Sequence, residues 1–307
     1  MRLPESQQKE TLWGLVVPEA HGGIFAPMSA QMTRTAREAG HGLLFADPRA
    51  PDDPPEDVAR RLEELAREYL ARRIAGVFFM PLLLPPASMR INAKFVDALD
   101  RAGIPVILLD RDIYDYPRRS KYDLVDVANR RSAQAITEHL LGLGHRCIRY
   151  ATHPEAASTA TARIAGYEDA LRDAGITPEP GWIHPVNIRD RAATEAMLRA
   201  CRADAFVCLN DALAAHLIRA LSEIGIRVPD DVAVVGFDDV DYATLVLVPL
   251  TTMRQPCEQI GAMAVRMMTE RMREPTLPAR QLTFACELIV RDSCGAARRD
   301  RAPAIRG

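Results

Sequence analysis

The chain has 307 residues, of which 48% are hydrophobic and 26% charged, and its formal net charge is -2. That length allows two lobes, each with its own hydrophobic core. The small net charge argues against a nucleic-acid-binding surface spread over the whole chain. No apolar run is long enough to cross a bilayer, and MRLPESQQKE at the N-terminus has no apolar signal core, so we expect a cytoplasmic protein without membrane contact.

In the first half, short apolar runs alternate with helical patterns. The runs predict strands at 11–18, 41–46, 76–80 and 106–110, and the patterns between them predict helices at 28–39, 58–72 and 92–102. Strands that are continuously apolar and alternate with helices are typical of a parallel sheet covered on both faces. The first half therefore predicts one doubly wound lobe.

The second half repeats this alternation. Strands are predicted at 124–127, 147–151, 182–186, 205–209 and 232–236, with helices at 131–141, 162–174, 192–202 and between the last two strands. A final helix at 257–272 and the strands QLTFA and ELIVR follow. The predicted fold class is α/β, with two doubly wound parallel-sheet lobes.

Six segments, in order along the chain, resemble the effector-binding core of the LacI/GalR family of transcriptional regulators. They are AGIPVILLDR, ITEHLLGLGHRCI, ARIAGYEDALRDAGI, LNDALAAHLIRALSEIGIRVPDDVAVVGFDD, LTTMRQP and ELIVRDS. The resemblance implies a fold like that of type I periplasmic binding proteins, whose lobes are joined by three crossings, here near Val127, Gln255 and Cys286. The expected lobes are 11–127 plus 257–285 and 128–256 plus 286–295, with a tail or linker stub at 1–10 and a disordered tail at 296–307.

The resemblance also implies the partners of the chain. A small-molecule effector, usually a sugar or sugar derivative, would bind in the cleft between the two lobes of one chain. Two such chains would form a homodimer. Family members normally carry a helix-turn-helix head before the first core strand, which here begins around Leu12. We therefore expect DNA contact only through a head that is absent from these residues. The chain could be a truncated regulator, part of a fusion with a head of another type, or a homologue without a head.

Planar hydrogen-bonding groups distinguish patterns of sugar hydroxyls, because arginine offers paired donors, aspartate paired acceptors and asparagine one of each. Arg163, Asn210 and Asp238 match the family positions that clamp the sugar, and Gln255 lies at a lobe crossing. A purely structural alternative is that Asn210 and Asp238 cap the following helix or turn. From the first lobe, Asp110 matches a ligand-facing position, or else forms a strand-end salt bridge with Arg111.

Other candidate contacts are less regular. Phe25 lies in a glycine-rich loop and could pack on sugar CH groups, whereas Phe237 is better explained as core. Arg191 occupies a position where several relatives place an aromatic residue, so we expect a charged pocket floor, and Met80 lies where some relatives place a polar contact. Asn129 follows Ala128, which replaces the usual aspartate of the family. The lost aspartate at Ala128 and the apolar Met80 favour a ligand with fewer hydroxyls than a plain hexose.

The sequence does not support catalysis or a cofactor. It contains no GxSxG, Walker-type phosphate loop, HExxH or GxGxxG after a strand. The six cysteines form no CxxC pair, and buried reduced thiols explain them better than metal or redox chemistry. The acidic run at Asp238, Asp239 and Asp241 is more typical of a strand-end turn than of a metal site, so no metal is proposed.

The leading hypothesis is an effector sensor that closes on its ligand and thereby modulates DNA binding. A solute-binding protein of a sugar uptake transporter is the alternative, and it would require export. An enzyme on the same fold is a third possibility that no motif supports.

Overall fold

The computed structural model of the protein describes residues 11–18, 23–49, 53–83, 86–154, 157–188 and 190–296. The predicted tail at 1–10 and residues 297–307 of the predicted C-terminal tail lie outside these ranges. Within them, no helix is both long and apolar enough to span a membrane.

The described residues form twelve strands and eight α-helices. The strands are β1 Thr11–Val16, β2 His41–Ala46, β3 Gly76–Phe79, β4 Val106–Leu109, β5 Asp123–Val127, β6 Ile148–Thr152, β7 Ile183–Pro185, β8 Ala205–Cys208, β9 Ala233–Val235, β10 Thr252–Arg254, β11 Gln281–Phe284 and β12 Glu287–Ile289. The helices are α1 Phe25–Glu38, α2 Pro55–Ala71, α3 Ser88–Arg101, α4 Asn129–Gly142, α5 Ser158–Asp173, α6 Arg191–Ala200, α7 Asp211–Glu223 and α8 Cys257–Arg273.

The chain divides into two compact units. Unit 1 comprises Met1–Val127 and Pro256–Phe284, and unit 2 comprises Ala128–Gln255 and Ala285–Gly307. The chain therefore passes from one unit to the other three times, and the predicted fold class is confirmed.

Unit 1 is built on a six-stranded, all-parallel sheet in the order β11-β5-β4-β3-β1-β2. Strands β3 and β4 are buried along their whole length, which explains their continuously apolar sequences. Helices α2 and α3 pack together, as do α1 and α8. Since β1 has β2 on one side and β3 on the other, the strand order reverses direction at β1 and β3.

Unit 2 has a four-stranded parallel sheet in the order β7-β6-β8-β9. A separate antiparallel pair joins β10 to β12. The sequence did not predict β10, because three residues carry little period-two signal and their pairing partner lies more than thirty residues further along the chain. Helix α5 follows β6 and helix α7 follows β8, so both helices begin at the carboxyl edge of the sheet.

Candidate functional site

The carboxyl ends of β6 and β8 mark the place in unit 2 where the strand order reverses, because the chain leaves β6 toward β7 on one side and reaches β8 on the other. Open α/β sheets bind ligands at such reversals, outside the carboxyl ends of the strands. Four of the predicted site residues, Asn129, Arg163, Asp238 and Gln255, meet at this edge. We call this set the Arg163 cluster.

Close packing of α4 against α5 positions Arg163. A Cβ atom added to Gly166 would lie 1.9 Å from the carbonyl oxygen of Arg130, so only glycine allows this approach of α5 to α4. Asn129, the first residue of α4, consequently lies beside Arg163 of α5. The Nε of Arg163 donates to Asn129 Oδ1 at 2.8 Å, and its Nη1 donates to the Leu209 carbonyl at 2.6 Å.

These two hydrogen bonds hold the guanidinium of Arg163 in one orientation. The residue is buried, with only 5% of its surface exposed. Its Cζ lies 3.5 Å from the centre of the Phe237 ring, a cation–π contact in a desolvated setting. Its Nη2 lies 3.8 Å from Asp238 Oδ1, which is an ion-pair distance but too long for a hydrogen bond. The Nη2 group therefore retains hydrogen-bonding capacity for another partner.

Asp238 is fixed from a second direction. The Nε2 of the buried Gln255 donates to Asp238 Oδ1 at 2.7 Å. The backbone φ of Asp238 is 119° and that of Asp239 is 55°, conformations that non-glycine residues rarely adopt. Such strain, on the order of 1–3 kcal/mol per residue, persists where the surroundings over-determine the backbone, commonly at ligand-binding sites.

Asp239, the next acidic residue of this turn, is explained by ion pairs. Asp239 accepts from Arg254 Nε and pairs with Arg291 Nη2, each at 2.7 Å. Within the described ranges, no three His, Cys, Asp or Glu side chains are placed to hold a metal ion. Asp238 and Asp239 lie between β9 and a short 3-10 helix that begins at Asp241.

Asn210 makes the capping bond that was the structural alternative for this residue. Its side chain accepts from the backbone N–H of Leu213 at 2.9 Å and caps helix α7. A direct role in ligand binding stays a prediction for Asn210, since an N-cap amide still has a donor NH₂ group.

The next residue, Asp211, was not singled out in the sequence. It is fully buried, accepts from the Thr252 hydroxyl at 2.6 Å, and lies against Gly236, where a Cβ would come within 2.2 Å of its Oδ1. Burial, and to a smaller extent the nearby charge of Asp238, raise the pKa of Asp211 to about 7. No sequence signal separates a buried aspartate just inside a helix from an exposed one, because both favour the first turn.

The Ala128 position, where the family usually has aspartate, lies directly before α4 and makes no side-chain capping bond. Cys286 lies beside Ser132 of the first turn of α4. Burial raises the pKa of its thiol, and a hydrogen bond with Ser132 opposes that shift. The cluster rim here is therefore lined by a neutral thiol and a hydroxyl instead of a second carboxylate.

Unit 1 places its predicted site residues at the carboxyl edge of its own sheet. Asp110 follows β4, has a φ of 66° and accepts from Arg111 Nε at 2.8 Å, so the predicted salt bridge with Arg111 is present. Met80 follows β3, is buried, and its sulfur lies 3.9 Å from Arg111 Nη2. Phe25 is the first residue of α1 and is half-buried.

Asp126 of β5 is an electrostatic neighbour of Asp110. Burial raises the pKa of Asp126 to about 6, although hydrogen bonds from Thr283 and Gln281 stabilise its charged form.

Arg191 is placed differently from the other predicted contacts. Its side chain is 65% exposed and pairs with Glu195 at 2.7 Å and with Glu223 at 3.2 Å. These partners lie on α6 and α7, and Arg191 does not join the Arg163 cluster. Its proposed contribution to the pocket floor therefore has no support from its contacts.

Comparison with known proteins agrees with this arrangement. The periplasmic binding protein-like domain matches residues 137–294, slightly more than half of the chain. A Sanguibacter keddieii structure assigned to the LacI family of transcriptional regulators is 30% identical, with a TM-score of 0.73, over 94% of this chain and 100% of that one. The chain belongs to this family of LacI-type regulators.

Further LacI-family relatives support the assignment. The transcriptional repressor PurR of Photobacterium profundum is 26% identical over 285 residues, covering 91% of this chain and 80% of that protein. The structure of the regulator CelR in complex with cellobiose is 25% identical, with a TM-score of 0.78, over 92% of this chain and 84% of that chain. These relatives are transcriptional regulators and not enzymes, and the chain corresponds to their effector-binding domain.

Proposed function

We propose that this LacI-family effector domain binds a sugar or sugar-like small molecule through the Arg163 cluster and thereby modulates DNA binding. The observation that carries the proposal is the buried, fixed guanidinium of Arg163 beside Asp238 at the reversal point of the unit 2 sheet. A planar donor next to a carboxylate matches adjacent hydroxyl groups, each of which both donates and accepts.

The hydrogen bonds that hold Arg163 also favour binding. Because Asn129 and the Leu209 carbonyl already orient the guanidinium, little side-chain entropy is lost when a ligand binds to Nη2. The Phe237 ring is covered by Arg163 and is 2% exposed, so Phe25 is the better aromatic candidate for packing on sugar CH groups.

The proposed binding site includes the carboxyl edge of unit 1, with Asp110 and its partner Arg111. A ligand shifts a conformational equilibrium only through different affinities for the two states, so contacts from both units would couple binding to closure. Asp110 and Asp238 each have a positive φ, a conformation that non-glycine residues hold most often at functional sites.

We further propose that the chain acts as a homodimer whose DNA contact comes from a head domain of the helix-turn-helix type. Leu245 and Leu247 support dimerisation, since they are 82% and 70% exposed and lie close to half-exposed Tyr242. Large exposed apolar side chains in one place are typical of protein–protein contacts.

Calorimetric titration of the purified chain with monosaccharides and disaccharides, including cellobiose, tests the proposed function. We expect one sugar class to bind and both Arg163→Ala and Asp238→Ala to weaken its binding. Arg172→Ala is the matched control, because Arg172 lies on the same helix, is 54% exposed and pairs with Glu168. If both cluster variants bind as tightly as the parent chain, the assigned site is wrong.

A further inference from the structure

A groove between α2 and α3 in unit 1 is distinct from every residue of the proposed effector site. Apolar side chains recur at helical spacing on the facing sides of both helices and form its floor. These floor residues are Leu62, Ala66, Leu70, Ile91, Phe95 and Ala98. Most of them are buried, but Leu70 is 43% exposed, and the recess above the small side chains of Ala66 and Ala98 has a volume of about 260 Å³.

The rim of the α2–α3 groove is basic. Arg67, Arg90, Lys94 and Arg101 line it, and Glu63 is the only carboxylate among its described lining residues. Glu63 pairs with Lys94 across the groove. Neither Arg90 nor Arg101 forms an ion pair with any carboxylate in the described part of the chain, although the chain as a whole carries a net charge of -2. An anionic group would therefore find unneutralised positive charge at this rim.

The shape of the groove limits what can occupy it. Its lining extends along α2 from Ala59 to Leu70, which corresponds to about 16 Å at 1.5 Å per residue. A helix with its side chains is about 10–12 Å across, so it could not lie within a recess of this volume. Since an apolar cavity of about 150 Å³ accommodates benzene, this recess accommodates a slender ligand of about ten non-hydrogen atoms.

We propose that the α2–α3 groove binds a linear anionic amphiphile, such as a medium-chain carboxylate, separately from the effector. The aliphatic chain lies along the apolar floor, and the anionic group contacts Arg90 or Arg101 at an end of the groove. Arg90 and Arg101 are the first and last residues of α3 that line the groove, so the two arginines lie near its opposite ends.

Decanoate tests this proposal, titrated below its micellar concentration into the full chain by calorimetry. We expect binding of one decanoate per chain, weaker binding of decanol and none of decylamine. Because the anionic group can lie at either arginine, the double variant Arg90→Gln/Arg101→Gln is expected to weaken binding by about fivefold and each single variant by less. Arg37→Gln, an exposed arginine on α1, is the matched control and is expected to bind like the parent.

Filling the groove provides a second test. We expect Ala98→Phe to abolish decanoate binding, and NMR of the parent chain to show ligand-dependent methyl shifts at Leu62 and Ile91 but not at Leu217 in the core of unit 2. If urea unfolding of Ala98→Phe is not cooperative, the variant is not properly folded. The surface arginine variants and the methyl shifts then test the proposal.

Three results would overturn the proposal. Decanol binding as tightly as decanoate would show that the basic rim does not contribute, and an equal loss in Arg37→Gln would show a non-specific charge effect. Binding of an acidic amphipathic peptide, with no binding of decanoate, would assign the groove to a protein partner.

Discussion

Replacing Arg163 by lysine keeps the positive charge of the Arg163 cluster but removes its planar fork. A single ammonium cannot donate to Asn129 Oδ1 and to the Leu209 carbonyl in the directions that the guanidinium uses and also reach a ligand. We therefore expect Arg163→Lys to lose its charge-assisted hydrogen bond to a sugar hydroxyl, which contributes about 1.5–3 kcal/mol.

That loss corresponds to an increase in Kd of about 10- to 150-fold, measured by calorimetry with the sugar that binds the parent chain. The variant is also expected to be less stable by about 1–3 kcal/mol, because a buried acceptor loses its donor. Urea unfolding measures this second effect and verifies that the variant is folded under the titration conditions.

Arg172→Lys is the control, since Arg172 is exposed on the same helix and its pair with Glu168 contributes at most about 1 kcal/mol. A folded Arg163→Lys chain whose Kd lies within twofold of the parent value would refute the assignment of Arg163 as a ligand contact. The geometry of the guanidinium would then serve only the packing of α4 against α5.

Three further predictions concern stability and assembly. Arg271→Ala is expected to destabilise unit 1 by about 1–3 kcal/mol, measured by urea unfolding, because the fully buried carboxylate of Asp123 loses its bidentate partner and keeps Arg280, whose backbone N–H donates to it at 2.7 Å; a loss below about 0.5 kcal/mol would contradict this. The pKa of Asp126, raised to about 6, means that the folded state retains its proton above the unfolded pKa near 3.9, so stability falls as pH rises between these values. The stability of Asp126→Asn relative to the parent is therefore expected to rise between pH 4 and pH 7, by at most about 3 kcal/mol. This requires that Gln281 turns its amide oxygen toward the new NH₂ group. A stability difference between variant and parent that stays constant across this pH range would contradict the prediction. Leu245→Asp is expected to shift the chain from dimer to monomer in analytical ultracentrifugation, and an unaltered dimer would exclude Leu245 from the interface.

The parallel sheets could be predicted from the sequence because buried parallel strands are continuously apolar. Helix starts were harder: α3 begins at Ser88 and α5 at Ser158, each four residues before the predicted start. The first turns of these helices contain small, polar or irregularly spaced residues, which give no periodic signal. Element types are therefore recovered more reliably than element ends.

The candidate site was predictable in part because polar residues after parallel strands must emerge at the same edge. That reasoning and the family resemblance together indicated Arg163, Asp238 and Gln255, which lie together in unit 2. It could not decide between ligand contact and capping of α7 for Asn210, and it could not indicate that Arg191 pairs with Glu195, since both depend on side-chain orientation.

The crystal structure of the chain with its tightest-binding sugar tests the central claim most directly. We predict sugar hydroxyls at hydrogen-bond distance, about 3 Å, from Arg163 Nη2 and the Asp238 carboxylate. A sugar bound elsewhere, with both of these groups free of contact with it, would contradict the account.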